Sequence, residues 1–236
     1  EDAALLTGNA RFIDDLEPVA GIRHAAILRS SHAHARIVSI DTSRAEALPG
    51  VHGIVTGADI ADAINPIPSA VRVPIKFYPI AVDKVRYVGE PVAVVFTDDP
   101  HTAEDAANLV FVDIDELPAI TDATADPVEF LPGHDSEATI IEKGYGDVDA
   151  AFANAPGMVE LDLRIGRHSG VPLECRGGLA RVDPETGILE FYGATKRPHP
   201  NRDLIAKTLG LEPAKVNLFG GDVGGRTQIA DGIRGG

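Results

Sequence analysis

Short runs rich in β-branched residues, each bounded by Gly, Pro or Asp, are the feature that most constrains the fold of this chain. Branched side chains pack well on a pleated surface and the flanking residues favour turns, so such runs predict β-strands. In the first half of the chain they occupy residues 21–29, 36–40, 51–56, 84–96 and 109–114. We therefore expect a fold with several short strands.

Three short segments between these runs have helical sequences. They are residues 43–48, which end at Pro49-Gly50, residues 57–63, which end before Asn65-Pro66, and residues 101–107 behind Pro100, with Thr102 as the expected cap. Proline begins or ends helices because it lacks the backbone N–H, and Thr hydroxyls cap the first turn. Strands and helices interleaved in this way predict a compact α+β domain.

The periodic hydrophobic pattern of the sequence ends after Leu117 and resumes near residue 145. Leu-Pro and Asp-Pro pairs break any period between Leu117 and Lys143, which predicts a linker. The segments that follow predict a second unit: strands at 157–166 and 175–183, a hairpin turn at 183–187 leading into 188–192, a helix at 201–209 closed by Gly210, and a strand at 215–219.

A glycine-rich stretch follows that last strand. Gly220, Gly221, Gly224 and Gly225 cannot be placed on the dinucleotide pattern G-x-G-x-x-G, and no Lys-Ser or Lys-Thr pair follows to form a phosphate-binding P-loop. Glycine at this density lets backbone N–H groups approach an anion or a metal-bound oxygen closely. The stretch predicts either a cofactor-binding loop of another type or a simple turn.

Charge and cysteine usage exclude several classes of function. The chain has 236 residues and a formal charge of −15, which opposes binding to nucleic acid and to anionic membrane surfaces. Its one cysteine, Cys175, excludes an intrachain disulfide framework and cannot supply an iron–sulfur cluster. No apolar run approaches the roughly 18 residues needed to span a bilayer. A reducing cytoplasmic setting and an N-terminus without a signal peptide are the expectation.

Four blocks of sequence resemble the molybdenum-cofactor subunit of the xanthine dehydrogenase, aldehyde oxidase and carbon monoxide dehydrogenase family, and together they cover nearly the whole chain. No one block is diagnostic, but the four occur in the family's order. They are Leu5–Gly8 with Phe12–Asp15, then Arg29–Ile37, then Tyr87–Val95 leading to Glu116–Pro118, and finally Glu174–Gly177, Thr195–His199 and Asp222–Gly225.

The resemblance implies a division into domains. Residues 1–117 would form an α/β hammerhead domain, residues 118–144 a linker, and residues 145–236 the opening part of the first molybdopterin-binding domain. The family's large subunit continues further, and the glutamate that acts as catalytic base would lie in that remainder. The resemblance also implies iron–sulfur and flavin (FAD) centres on partner subunits.

The same resemblance implies four cofactor-binding positions, Lys196, Gly224, Gly225 and Arg226. Lys196 stands where many relatives have a glutamine that reaches the oxo group of the metal. A lysine could donate to that oxygen, but as a hydrated charge on a flexible stem it would alter the electrostatics. Relatives also read Val-Gly-Gly-Gly-Phe-Gly, whereas Val223-Gly-Gly225 passes directly to Arg226, so the Gly-Phe-Gly step is missing.

Other candidate residues are interpreted as structural. His32 and His34 have H-x-H spacing but no evident third metal ligand, and His168 and Glu174 show no spacing that requires an acid–base pair. Cys175 stands where the family commonly has proline, and a small packed residue is the expectation. We therefore assign no catalytic residue and no metal ligand within these 236 residues.

Two functions are compatible with these features. The first is the N-terminal fragment, itself inactive, of a molybdenum hydroxylase whose parent oxidises an aldehyde or N-heterocycle with water-derived oxygen, as the resemblance implies. The second is a non-catalytic hammerhead scaffold that docks against iron–sulfur and flavin subunits. Self-association through an exposed apolar surface would favour the first, and a polar-surfaced monomer the second.

Overall fold

The structure is a computed structural model that describes residues 2–16, 19–69, 71, 74–137, 139–166, 171, 174–195 and 197–222. The chain divides into two units. The larger comprises Glu1–Ala70, Pro74–Ala125 and Pro172–Gly236, and the smaller comprises Val71–Val73 and Asp126–Val171. No helix among the described residues is long and apolar enough to cross a membrane.

Helices and strands alternate along the chain, as the α+β prediction requires. The helices are α1 Asp2–Thr7, α2 Ser43–Glu46, α3 Gly57–Ile60, α4 Pro100–Leu109, α5 Val148–Ala153 and α6 Pro198–Leu209. The strands are β1 His24–Arg29, β2 Ala35–Asp41, β3 Val51–Thr56, β4 Lys84–Val85, β5 Pro91–Thr97, β6 Phe111–Glu116, β7 Glu129–Leu131, β8 His134–Asp135, β9 Gly178–Val182, β10 Leu189–Gly193 and β11 Val216–Phe219.

The first sheet has the order β1-β5-β3 and is antiparallel. Its central strand β5 is almost continuously apolar, and Ala93 and Val95 are fully buried under α2 and α4. Helix α4 contributes Ala106 and Ala107 to this core, and its Ala103 is also buried. Small side chains at these positions let the helix approach the sheet closely.

The second sheet has the order β4-β2-β6 and is also antiparallel. Ala35, Val85 and Val92 form a second buried cluster together with Ala81. The predicted strand 84–96 is divided into β4 and β5 by a turn at residues 86–90, where Gly89 has a φ of 92°. A residue with a Cβ is strained in that conformation, so glycine permits the turn.

The third sheet lies in the same larger unit and has the order β11-β10-β9. Strand β9 is antiparallel to β10 across the predicted Asp183–Gly187 turn, in which Gly187 N donates to Asp183 O at 2.8 Å. The chain then crosses through α6 to β11, which is parallel to β10. Gly210 ends α6 in the left-handed conformation, with a φ of 67°, as predicted.

Two local predictions are wrong. The cap of α4 is Asp99, whose carboxylate accepts from the backbone N–H groups of His101 and Thr102, while the Thr102 hydroxyl donates to Asp99 Oδ2 at 2.5 Å. Residues 157–166 are not a strand, although their sequence alternates apolar and polar residues. No strand of the described chain pairs with them, and an unpaired strand lacks the hydrogen bonds that define it.

The smaller unit contains α5 and a short hairpin of β7 and β8. The Asp147 side chain caps α5 by accepting from Ala150 N at 2.9 Å. The hairpin lies within residues 118–144, where the sequence predicts a linker. The α+β class is confirmed, and the predicted domain boundaries remain a prediction.

Candidate functional site

A cleft of about 250 Å³ lies at the carboxyl ends of the parallel strands β10 and β11, within the larger unit. The ends of these strands and the loops that follow form its floor, with Gly193 at the end of β10, Ala194 after it, and Gly220 and Gly221 after β11. The cleft therefore contains the first two glycines of the glycine-rich stretch. Carboxyl ends of neighbouring parallel strands are where open sheets commonly bind ligands.

The opposite wall comes from residues 11–16 near the N-terminus, which we call the strap. Asp15 N donates to Phe12 O at 3.0 Å and closes a 3₁₀ turn over Ile13–Asp15, and the Asp15 side chain caps the turn by accepting from Phe12 N at 2.9 Å. Phe12, Ile13 and Leu16 give the wall an apolar lining. The first block of the family resemblance therefore lies against the last one.

Two carboxylates distant in sequence hold the strap. Arg11 N donates to Asp222 Oδ2 at 2.9 Å, across 211 residues, and Ile13 N donates to Glu174 Oε1 at 3.4 Å, across 161 residues. Glu174 is only 7 % exposed, whereas Asp222, which lies within the glycine-rich stretch, is half-buried. Hydrogen bonds to a charged acceptor are among the stronger ones in proteins.

Glycines let the strap and the sheet approach each other. A Cβ on Gly177 would lie 2.8 Å from Ile13 Cγ2, and one on Gly221 would lie 3.3 Å from Arg11 O. Within the sheet, a Cβ on Gly178 or Gly193 would lie 2.6 or 2.7 Å from the Phe191 ring. These separations are below normal van der Waals contact, so side chains at these positions would displace their neighbours.

An aromatic pair joins the two strands that end at the cleft. Tyr192 of β10 and Phe219 of β11 are register partners, and their rings stack with centroids 4.6 Å apart and an interplanar angle of 17°. Both residues line the cleft. The pair fixes the separation of the strand ends from which the two floor loops begin.

Thr195 organises the loop after β10. Its side chain is nearly fully buried, and its Oγ1 accepts from Asn201 Nδ2 at 2.6 Å and from Arg197 N at 3.3 Å. The hydroxyl thereby ties the loop to the first turn of α6. A Cβ on Gly220 would lie 3.4 Å from Thr195 Cγ2, so the two floor loops pack on each other.

Chemically, the described part of the cleft is better suited to binding than to acid–base catalysis. Both of its carboxylates already accept backbone N–H groups, and Arg11 is the one cationic residue among its lining residues. The aromatic and aliphatic side chains favour a ligand with an apolar face. Backbone groups of the glycine loops are the groups available for polar contacts with such a ligand.

All four predicted cofactor-binding residues, Lys196, Gly224, Gly225 and Arg226, lie outside the described residues. The described residues next to them in sequence are Thr195 and Asp222, and these belong to the floor loops of the cleft. These four assignments therefore remain predictions.

Of the remaining candidates, Glu174 lines the cleft, whereas His32, His34 and Cys175 do not. His32 Nε2 lies 3.4 Å from Glu116 Oε1, whereas His34 Nδ1 lies 2.7 Å from Pro118 O. No group of three or more potential metal ligands occurs in the described chain. Cys175 is exposed, which contradicts the expected small packed residue, and His168 lies outside the described residues.

The bonds from Asp222 and Glu174 to the strap were not predicted from the sequence. Both carboxylates belong to blocks that carry the resemblance, but their partners are backbone N–H groups, which have no sequence signature. The glycines at 177 and 221 were the available signal, because a glycine can mark a close backbone approach, which the structure shows at both positions.

Two family models match the chain. The model "Aldehyde oxidase and xanthine dehydrogenase, a/b hammerhead domain" matches residues 7–118, and the model "Molybdopterin cofactor-binding domain" matches residues 133–226. The cleft draws on both matched regions, with the strap from the first and its floor from the second.

Known relatives support the same assignment. The chain is 40 % identical to the 6-hydroxypseudooxynicotine dehydrogenase complex subunit gamma of Paenarthrobacter nicotinovorans, over 99 % of this chain and 30 % of that subunit. It is 33 % identical to the carbon monoxide dehydrogenase large chain of Hydrogenophaga pseudoflava, over 95 % of this chain and 30 % of that chain.

A solved structure agrees with these relatives. Quinoline 2-oxidoreductase from Pseudomonas putida 86 superposes with a TM-score of 0.77 at 35 % identity, over 95 % of this chain and 30 % of that chain. The chain thus spans less than a third of each of these three proteins. It belongs to the large-subunit family of xanthine dehydrogenase, aldehyde oxidase and carbon monoxide dehydrogenase, and it corresponds to the family's hammerhead domain and part of its molybdopterin cofactor-binding domain.

Proposed function

We propose that this chain is the N-terminal part of a molybdenum hydroxylase large subunit, whose parent enzyme oxidises an aldehyde or an N-heterocycle with oxygen derived from water. The observation that carries the proposal is the cleft, in which the hammerhead strap meets the first residues of the glycine-rich loop. The name of one solved relative, quinoline 2-oxidoreductase, supports an N-heterocycle.

The described residues fit one side of a molybdopterin cofactor. The strand-end glycines expose backbone groups, and Tyr192 and Phe219 provide an apolar face for a flat ring system. The carboxylates of Asp222 and Glu174 accept hydrogen bonds from the backbone of the strap, and these bonds offset part of their repulsion of an anionic cofactor. When bound, the cofactor supplies the redox chemistry, and the protein supplies position and electrostatics.

Four residues of this chain would hold the cofactor. Lys196 would donate its ammonium protons to an oxygen of the group, Gly224 and Gly225 would present backbone N–H groups, and Arg226 would neutralise negative charge. The catalytic glutamate would belong to the part of the subunit that this chain does not include. Alone, these 236 residues would be inactive.

Partner subunits complete the proposal. One relative is named as a subunit of a complex and another as a large chain, which supports a parent with several subunits. We propose that iron–sulfur and flavin (FAD) subunits accept the electrons. The single cysteine of this chain cannot ligate an iron–sulfur cluster by itself, and it supports a reducing cytoplasmic setting.

The first test is to read the gene beyond the codon for Gly236. A reading frame that continues with the rest of a molybdopterin-binding domain supports the proposal. The encoded protein, produced with its neighbouring subunits in a host that makes the cofactor, is then expected to contain about one molybdenum per chain. Lys196→Ala and Arg226→Ala are expected to lower that content severalfold, whereas Lys143→Ala, an exposed residue of the smaller unit, leaves it unchanged.

A stop codon with no continuing frame would overturn the catalytic proposal. The non-catalytic scaffold would then be the better hypothesis, and binding of this chain to purified iron–sulfur and flavin subunits would test it. Wild-type protein that continues beyond Gly236 but contains no molybdenum would also contradict the proposal.

A further inference from the structure

We infer that the strap, residues 11–16, positions the start of the glycine-rich loop, and that Asp222 is the positioning residue that joins them. The inference rests on the proposed function only in taking that loop as the cofactor loop. Its structural basis is independent of any ligand, because it consists of contacts within the larger unit.

The bond from Arg11 N to Asp222 Oδ2, at 2.9 Å, is the first element of this arrangement. Asp222 is the last described residue before the glycines at 224 and 225, and it follows two glycines that carry no side chain to anchor them. A carboxylate is thus the first side chain after β11 that can fix the loop. Its hydrogen bond fixes the loop to a different part of the fold.

Close packing is the second element. The Arg11 carbonyl would be 3.3 Å from a Cβ on Gly221, and Ile13 Cγ2 would be 2.8 Å from a Cβ on Gly177. The strap therefore lies directly on the backbone at two glycines. Gly221 immediately precedes Asp222 in the sequence, and Gly177 follows Glu174 by three residues. Ile13 N also donates to Glu174 Oε1 at 3.4 Å, which holds the strap from the other side.

Together these contacts make the loop position dependent on the N-terminus. A glycine-rich loop has high conformational entropy, so it needs external contacts to hold one conformation. The strap supplies a hydrogen-bond donor and a packing surface at the point where the loop begins. Losing either contact is expected to free residues 216–222 while leaving the distant helix α4 unchanged.

Hydrogen exchange of this chain followed by mass spectrometry tests the inference. Asp222→Ala is expected to speed exchange about tenfold both in the strap and in residues 216–222, since it removes a charged acceptor. Asp222→Asn keeps an acceptor and is expected to remain near wild type. Asp122→Ala is the matched control, because among the described residues that carboxylate accepts only from Thr124, two residues away.

A packing variant gives a second, independent test. Gly177→Ala is expected to speed exchange in the strap, since its Cβ collides with Ile13, and Ile13→Ala in the same chain is expected to restore protection by removing the colliding Cγ2. Gly157→Ala, where nothing lies within 4 Å of the added Cβ, serves as the control. Unchanged exchange in residues 216–222 of Asp222→Ala would overturn the inference.

In the molybdenum-loaded parent, Asp222→Ala is expected to lose metal severalfold faster on dilution than wild type or Asp222→Asn. Equal rates of loss would overturn the positioning role even if exchange changes. If wild-type protein binds no molybdenum, the proposed function fails, whereas the exchange results still decide whether the strap positions the loop.

Discussion

Gly57 shows how one residue fixes a close contact in the hammerhead region. A Cβ added there would lie 1.9 Å from Ala81 O and 2.6 Å from Val82 Cα, which are backbone atoms. Because backbone atoms cannot rotate away as a side chain does, Gly57→Ala is expected to destabilise the chain by about 3 kcal/mol, near the upper range for overpacking. Thermal or urea denaturation measures this change.

The matched control for Gly57→Ala is Gly53→Ala in strand β3. An added Cβ at Gly53 has nothing within 4 Å, and Gly53 does not have a positive φ. Its replacement is expected to be neutral or slightly stabilising, since alanine restricts the unfolded chain. Equal destabilisation by the two substitutions would contradict the steric explanation.

Glu90 gives the molecule a predictable pH dependence. Glu90 is 8 % exposed, and its carboxylate accepts from Arg86 N at 2.5 Å. Burial raises the pKa of Glu90 above its usual value, against the opposing effects of Arg86. The folded chain therefore keeps a proton that the unfolded chain releases as the pH rises above about 4.3. By linkage, this group lowers folding stability as the pH rises through that window.

Replacing Glu90 with glutamine tests this sign. Glutamine retains an acceptor for Arg86 N but does not titrate. The midpoint of thermal unfolding of Glu90→Gln, relative to that of wild type, is therefore expected to increase as the pH is raised from about 4 to about 7. A difference between the two proteins that is independent of pH would show that the buried carboxylate does not titrate in this window.

At the scale of elements, the stacked Tyr192 and Phe219 couple β10 to β11. Stacked pairs contribute about 0.5–1.5 kcal/mol beyond the area they bury, so a double-mutant cycle of Tyr192→Leu and Phe219→Leu is expected to give a coupling energy of about 1 kcal/mol. Urea unfolding of the four proteins measures it. Strictly additive effects would indicate that the rings contribute through burial alone.

Elements with local signals were predicted well from the sequence. Helix α6 ends at Gly210 as expected, and strands β2, β3 and β6 lie within two residues of their predictions, because turn residues and β-branched runs act locally. The cap of α4 was misplaced by three residues, since Asp99 and Thr102 are both good capping residues and sequence alone does not choose between them.

Features that depend on distant partners were not predictable in the same way. The cleft forms only when the strap reaches Glu174 and Asp222, and these contacts span 161 and 211 residues. The strand predicted over 157–166 was wrong, because an alternating pattern forms a strand only where a neighbouring strand pairs with it. The family resemblance identified the blocks that meet at the cleft without giving their contacts.

At the scale of the whole molecule, the exposed apolar residues of segment 158–165 determine the expected association state. Val159, Leu161, Leu163 and Ile165 are 88 %, 75 %, 79 % and 87 % exposed, and they alternate with Glu160, Asp162 and Arg164. If this segment paired as a strand, its apolar residues would share one face, and an exposed segment of this pattern is a template for pairing with another chain. We therefore expect the 236-residue chain to self-associate in solution.

Light scattering coupled to size-exclusion chromatography tests this expectation. Replacing Leu161 and Leu163 together with lysine is expected to shift the chain toward monomer, because the apolar face of the segment becomes charged. The control replaces Glu160 with glutamine and Asp162 with asparagine, which changes the net charge by the same amount on the polar face and is expected to leave self-association intact.

A wild-type chain that is monomeric at high concentration would contradict the expectation. It would also favour the non-catalytic scaffold over a part of a larger hydroxylase, because a chain that normally folds with further sequence is expected to expose the surface that this sequence covers.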